Sequence, residues 1–187
     1  ELIEALGGEI VPGMAMPEFD DVVTVGPIAT LGNERRAELR EKVMRSGIHR
    51  DGAGDTARVA LVALGGIPMR LPVERWPVLA GTHWLVPAAW KADRPDMSAF
   101  EPLAWPFADL LRSVDAVVTK PGYGTFAEAV CNGTAVLYQR REDWPEQECL
   151  IEWLHANARC VELSAADLHG GNLAAALDAT LQSAAPP

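Results

Sequence analysis

Apolar residues in this 187-residue chain fall into short runs, separated by stretches where they recur every three or four positions. Short apolar runs bounded by Gly or Pro predict buried strands, and the three-to-four spacing predicts amphipathic helices. Residues 58–64 form the clearest strand and run into Gly65-Gly66. Further strands are predicted at 22–25, Thr82–Val86, 100–104, 116–118, Ala135–Tyr138 and 160–163. Asn33 can cap a helix through Arg45 with Leu39 and Val43 on one face and Gly47 as its stop. Pro106 opens a second helix, with Phe107, Leu110, Leu111 and Val114 in register. A third is predicted from Thr125 to Cys131, stopped by Asn132-Gly133. Pro145 starts a fourth with Leu150, Trp153, Leu154 and Asn157 in register. Ser164 caps a turn, and Leu173, Leu177 and Leu181 mark a closing helix. Prolines 68, 72 and 77 leave room only for a short helix between the strands at 58–64 and Thr82–Val86.

Apolar strands alternating with helices imply an α/β fold: a Rossmann-like, doubly wound parallel sheet covered on both faces. The glycine- and proline-bearing start predicts a linker or the tail of a preceding domain over residues 1–57, with one strand and one helix. A Rossmann-like domain then spans 58–184. Ligands of such sheets sit beyond the carboxyl ends of the strands. That places the loops at Gly65-Gly66, 104–106, 120–125 and 139–147 around any site.

Composition narrows the classes. The formal charge is -10, from 26 acidic and 16 basic residues, which argues against nucleic acid as a partner. No apolar run is long enough for a spanning helix, so the chain is not expected to be transmembrane. Three cysteines without CxxC spacing suggest a reduced, cytoplasmic setting. The first residue is Glu1 and no signal peptide is visible, so we expect a piece of a longer protein with part of its cleft elsewhere.

The chemistry concentrates in Asp115-Ala-Val-Val-Thr-Lys-Pro-Gly122-Tyr123-Gly124-Thr125-Phe-Ala-Glu128. A strand, a tight turn and a helix N-terminus follow one another within fourteen residues. Unpaired amides and the helix dipole at such a turn form a cradle for a phosphate or diphosphate. Gly122-x-Gly124-x-x-Ala127 also matches a dinucleotide fingerprint, with Glu142 twenty residues after Gly122. That fingerprint normally occupies the first strand–helix turn of its fold, and here it comes late. A tight turn with no ligand is the plainest alternative. Thr125-x-x-Glu128 reads on spacing alone as a capping box, while a carboxylate beside bound phosphates can also accept ribose hydroxyls.

Between Lys120 and Arg141 lie three cations (Lys120, Arg140, Arg141) and one anion, Glu128, a local reversal of the chain's acidity. Gly65-Gly66 either admits close approach of a ligand or simply turns the chain. Trp105 can offer an aromatic face to a base and Trp144 to a sugar, although packing accounts for most of the six tryptophans. The four histidines have no metal-ligand spacing, and no DxD pair, Walker lysine or GxSxG elbow is present. Neither a metal nor a cofactor is therefore expected.

Taken together, Gly65-Gly66, Trp105-Pro106, the 115–128 stretch, 132–138 and Glu146-Gln147 resemble the C-terminal half of a GT-B glycosyltransferase. The likeness is to the peptidoglycan N-acetylglucosaminyltransferase family and to the glycosyltransferase-like region of L-arabinokinases, over roughly residues 58 to 163. The resemblance implies a domain that binds a nucleotide-sugar donor, with UDP the first expectation. Gly122, Tyr123, Gly124 and Thr125 would hold the diphosphate, Glu128 the ribose, and Glu146 and Gln147 the sugar hydroxyls. The 104–106 loop with Trp105 would meet the base, and Gly65 and Gly66 would face the cleft. Glu146 stands where the family usually has Asp, one methylene shorter, which leaves the sugar open. The catalytic base and acceptor site would lie in a missing N-terminal domain, so the chain alone is expected to be inactive. A nucleotide-sugar sensing module and an NAD(P)-binding domain are the alternatives.

Overall fold

The structure, a computed structural model, describes residues 27–45, 58–65, 69–142, 144 and 147–186. The strand expected at 22–25 lies outside them, as do Gly66 and Glu146.

Among the described residues the strands are β1 (Arg58–Val62), β2 (Thr82–Val86), β3 (Met97–Ala99), β4 (Ala116–Thr119), β5 (Ala135–Tyr138) and β6 (Cys160–Glu162). They form one six-stranded sheet in the order β3-β2-β1-β4-β5-β6, and every pair is parallel. The helices are α1 (Arg36–Arg45), α2 (Phe107–Ser113), α3 (Tyr123–Cys131), α4 (Gln147–Asn157), α5 (Ala165–Gly170) and α6 (Ala174–Gln182). The apolar runs dictate this arrangement. Both faces of β4 and β5 are buried, which suits their mainly apolar side chains.

Two cores result, one on each face of the sheet. Val59, Leu61, Leu85, Val117 and Val136 pack with Leu39 and Val43 of α1, Leu110 and Leu111 of α2, Phe126 of α3, and Leu150 and Leu154 of α4. Ala60, Val62, Trp84, Val118 and Leu137 pack on the opposite face with Leu168 of α5 and Leu177 of α6. The doubly wound expectation is met.

Two elements differ from the sequence reading. The strand expected at 100–104 is instead β3, three residues earlier, followed by a 3-10 turn over Glu101–Leu103. Phe100 and Leu103 both pack on the α1–α4 core, a three-residue spacing that suits a 3-10 turn rather than a strand. The helix expected from Thr125 begins two residues sooner, at Tyr123, with Gly122 as its N-cap.

The segment 27–35 is fastened along α2 and α3. The amide of Gly32 donates to Asn132 Oδ1 at 2.9 Å, and Asn132 Nδ2 donates to the Thr30 carbonyl at 2.9 Å. Asn33 and Arg35 donate their amides to Asp109 Oδ1 at 2.8 Å and Ser113 Oγ at 2.9 Å. Gly32 lies so tightly on α2 that a Cβ there would fall 2.2 Å from the Ala108 carbonyl oxygen.

Candidate functional site

In a sheet of order 3-2-1-4-5-6 the chain reverses its winding between β1 and β4, and a crevice opens at their carboxyl ends. A cleft of about 380 Å³ lies there, floored by Leu64 and Gly65 after β1 and by residues 119–125 after β4. Arg141 and Trp144, which follow β5, form another wall.

The turn after β4 is built by Gly122, whose extended backbone (φ -172°) redirects the chain into α3 without a side-chain cap. The first full helical bond runs from the Phe126 amide to the Gly122 carbonyl at 3.1 Å. The amides of Tyr123, Gly124 and Thr125 precede it and have no intrahelical acceptor. Thr125 is therefore the third residue of the helix and Glu128 the sixth, so they do not form a capping box. Glu128 shares the face of Gly124 and Thr125 by its four- and three-residue spacing. Its half-buried carboxylate has no polar partner among the described residues.

Two cations complete the cleft. Lys120 is half-buried at the end of β4, where burial first and the Arg141 charge second hold its pKa below that of an ordinary lysine. Gly65 borders it: a Cβ there would stand in ordinary contact, 3.7 Å from Lys120 Cε, and it is the left-handed φ of 68° that favours glycine at this position. Arg141 stacks its guanidinium over Trp144, 3.8 Å from the ring centroid. The neighbouring Arg140 is engaged elsewhere, in ion pairs with Glu148 and Glu162.

Of the residues singled out in the sequence, Gly65, Gly122, Tyr123, Gly124 and Thr125 line one cleft. Trp105 does not join them; it packs on the α1–α4 core with the Arg35 guanidinium 3.8 Å over its ring. Gln147 is buried behind the cleft wall, its side-chain amide bonded to the Arg141 backbone. Lys120, Arg141 and Trp144 line the cleft as well. The local excess of cations was the signal for Lys120 and Arg141 and the aromatic ring that for Trp144, but nothing in the sequence separates Arg141 from Arg140.

Among the described residues no helix is long and apolar enough to cross a membrane, and no group of three or more His, Cys, Asp or Glu is placed to hold a metal.

Among solved structures, the chain is similar to the glycosyltransferase of kitacinnamycin, at 21% identity and a TM-score of 0.55, over 89% of this chain and 44% of that one. The fold is that of one half of a GT-B glycosyltransferase. The glycosyltransferase SnogD from Streptomyces nogalater is also similar, at 18% identity and a TM-score of 0.47, over 100% of this chain and 51% of that one. The chain thus spans about half the length of these neighbours. No protein-family profile and no curated protein matches it.

Proposed function

We propose that the chain is the donor-binding half of a glycosyltransferase whose donor is a nucleoside-diphosphate sugar, with UDP the expected nucleotide. One observation carries this reading: three uncapped amides of α3 and two cations without carboxylate partners among the described residues, Lys120 and Arg141, share one cleft at the winding reversal. That set suits a dianionic diphosphate. Glu128, one turn along the same helix face, suits a pair of ribose hydroxyls.

The chemistry follows from where charge develops. As the bond from the anomeric carbon to the diphosphate breaks, negative charge accumulates on the departing phosphate. Donors fixed by the fold stabilise that charge without reorganising at the moment of reaction. The acceptor and the base that deprotonates it belong to the other half of the enzyme, so the chain alone would bind donor and turn over little. The likeness to the peptidoglycan N-acetylglucosaminyltransferase family and the arabinokinase region supports this assignment of halves.

The glycine fingerprint would also suit NAD, but it follows β4, whereas a dinucleotide fold carries it after β1. Calorimetry of the chain with UDP, a UDP-sugar, GDP and NADH separates the readings. Binding of UDP or GDP without NADH is expected, and binding of NADH alone would overturn the proposal.

A further inference from the structure

Gln147 is buried at the first turn of α4, and both ends of its amide are used on a single residue. Its Oε1 accepts the Arg141 amide at 3.0 Å, and its Nε2 donates to the Arg141 carbonyl at 2.9 Å. This two-point contact imitates a strand pair and fixes the Arg141 backbone near the start of the β5–α4 loop. Trp144 fixes the side chain. A guanidinium stacked on a ring uses its flat face and keeps its N–H donors around the edge. Arg140 is held by Glu148 and Glu162, whereas Arg141 has no carboxylate partner among the described residues.

We propose that Arg141 is the side-chain ligand of the donor's diphosphate and that Gln147 is a positioning residue acting through Arg141, not a contact to the sugar; this rests on the donor-binding reading above. Gln147 is buried with both ends of its amide on Arg141, and it is not among the residues that line the cleft. Lys120 on the floor of the cleft and Arg141 on its wall place two like charges around one space, where Arg141 already disfavours the protonated lysine. An anion bridging them relieves that repulsion. A diphosphate has the charge and the span to do so, which a neutral sugar lacks.

A sugar ligand and a positioner differ in which compounds they affect. Titrations of the chain with UDP and with UDP-glucose, on wild type, Gln147→Ala, Arg141→Ala and the double variant, discriminate them. Arg141→Ala should weaken UDP about tenfold or more, the order expected for a lost charge-assisted bond. Gln147→Ala should weaken UDP and UDP-glucose by the same factor, about threefold to tenfold, and should have no further effect once Arg141 is alanine. Gln147→Met is close in length, stays neutral and can neither accept the Arg141 amide at an oxygen nor donate to the Arg141 carbonyl. It should show the same equal loss for both compounds, which keeps the test decisive if Gln147→Ala folds poorly. The inference is overturned if the Gln147 variants weaken UDP-glucose and leave UDP unchanged, if their effect persists in the Arg141→Ala background, or if Arg141→Ala leaves UDP binding intact. A wild-type chain that binds no nucleoside diphosphate would overturn the donor-binding reading itself, and this inference with it.

Discussion

The hydroxyl of Tyr123 accepts a hydrogen bond from the Ile28 amide at 2.8 Å. The side chain between the two glycines of the turn into α3 is thereby committed to holding the 27–35 segment, and its contribution to the cleft is chiefly its backbone amide. Tyr123→Phe should reduce stability by about 0.5–1 kcal/mol, the usual worth of one such bond. UDP affinity should stay within about threefold. Chemical denaturation and calorimetry on the same preparation check both.

Helix α1 belongs energetically with the sheet. Leu39 is fully buried in the core shared by α1, α2, α3 and α4. Asp115 binds Arg36 of α1 and also accepts the Val59 amide of β1 at 2.8 Å. Leu39→Ala should cost about 2–5 kcal/mol in a urea or guanidinium titration. A loss under about 0.5 kcal/mol would mark residues 27–45 as a passive tail.

Much of this fold is legible in the chain, and the exceptions have physical causes. Ala135–Tyr138 is a continuous apolar run between turn signals and Thr82–Val86 is an apolar or β-branched one apart from His83, and both are strands with those bounds. The start of α3 misleads because Thr125-x-x-Glu128 imitates a capping box. The true start depends on Gly122 turning the backbone, which leaves no side-chain signature. The contacts of 27–35 with Asp109, Ser113, Tyr123 and Asn132 span 76 to 102 residues, and no local pattern encodes them. Likewise, a Glu-Gln pair in sequence does not show that Gln147 turns back onto Arg141.

Glu128 provides a clean separation of stability from binding. It lies beyond the first turn of α3 and its carboxylate has no polar partner among the described residues, so Glu128→Gln should change stability by less than about 0.5 kcal/mol. A ribose-binding role predicts that UDP affinity falls about tenfold while affinity for inorganic diphosphate is retained. Equal losses for both ligands would remove Glu128 from the ribose role.

On the donor-binding reading, Lys120 should make binding depend on pH. Its lowered pKa, caused by burial and then by Arg141, means that it loses its proton earlier on the alkaline side than an ordinary lysine. UDP affinity should be steady near neutrality and fall as the pH rises through that lowered value, with proton uptake on binding over the same range. Lys120→Arg keeps the charge and should abolish the alkaline fall. Folding has the opposite sign. The unfolded chain holds this proton more tightly, so the contribution of Lys120 to stability improves as the pH rises between the folded and unfolded pKa values.

The most direct test of the central claim is a crystal structure of the chain with UDP. Diphosphate oxygens should lie about 3 Å from the amide nitrogens of Gly124 and Thr125, at ordinary hydrogen-bond distance, with Lys120 and Arg141 beside them and the ribose at Glu128. UDP ordered elsewhere, with no phosphate at the start of α3, would contradict the assignment.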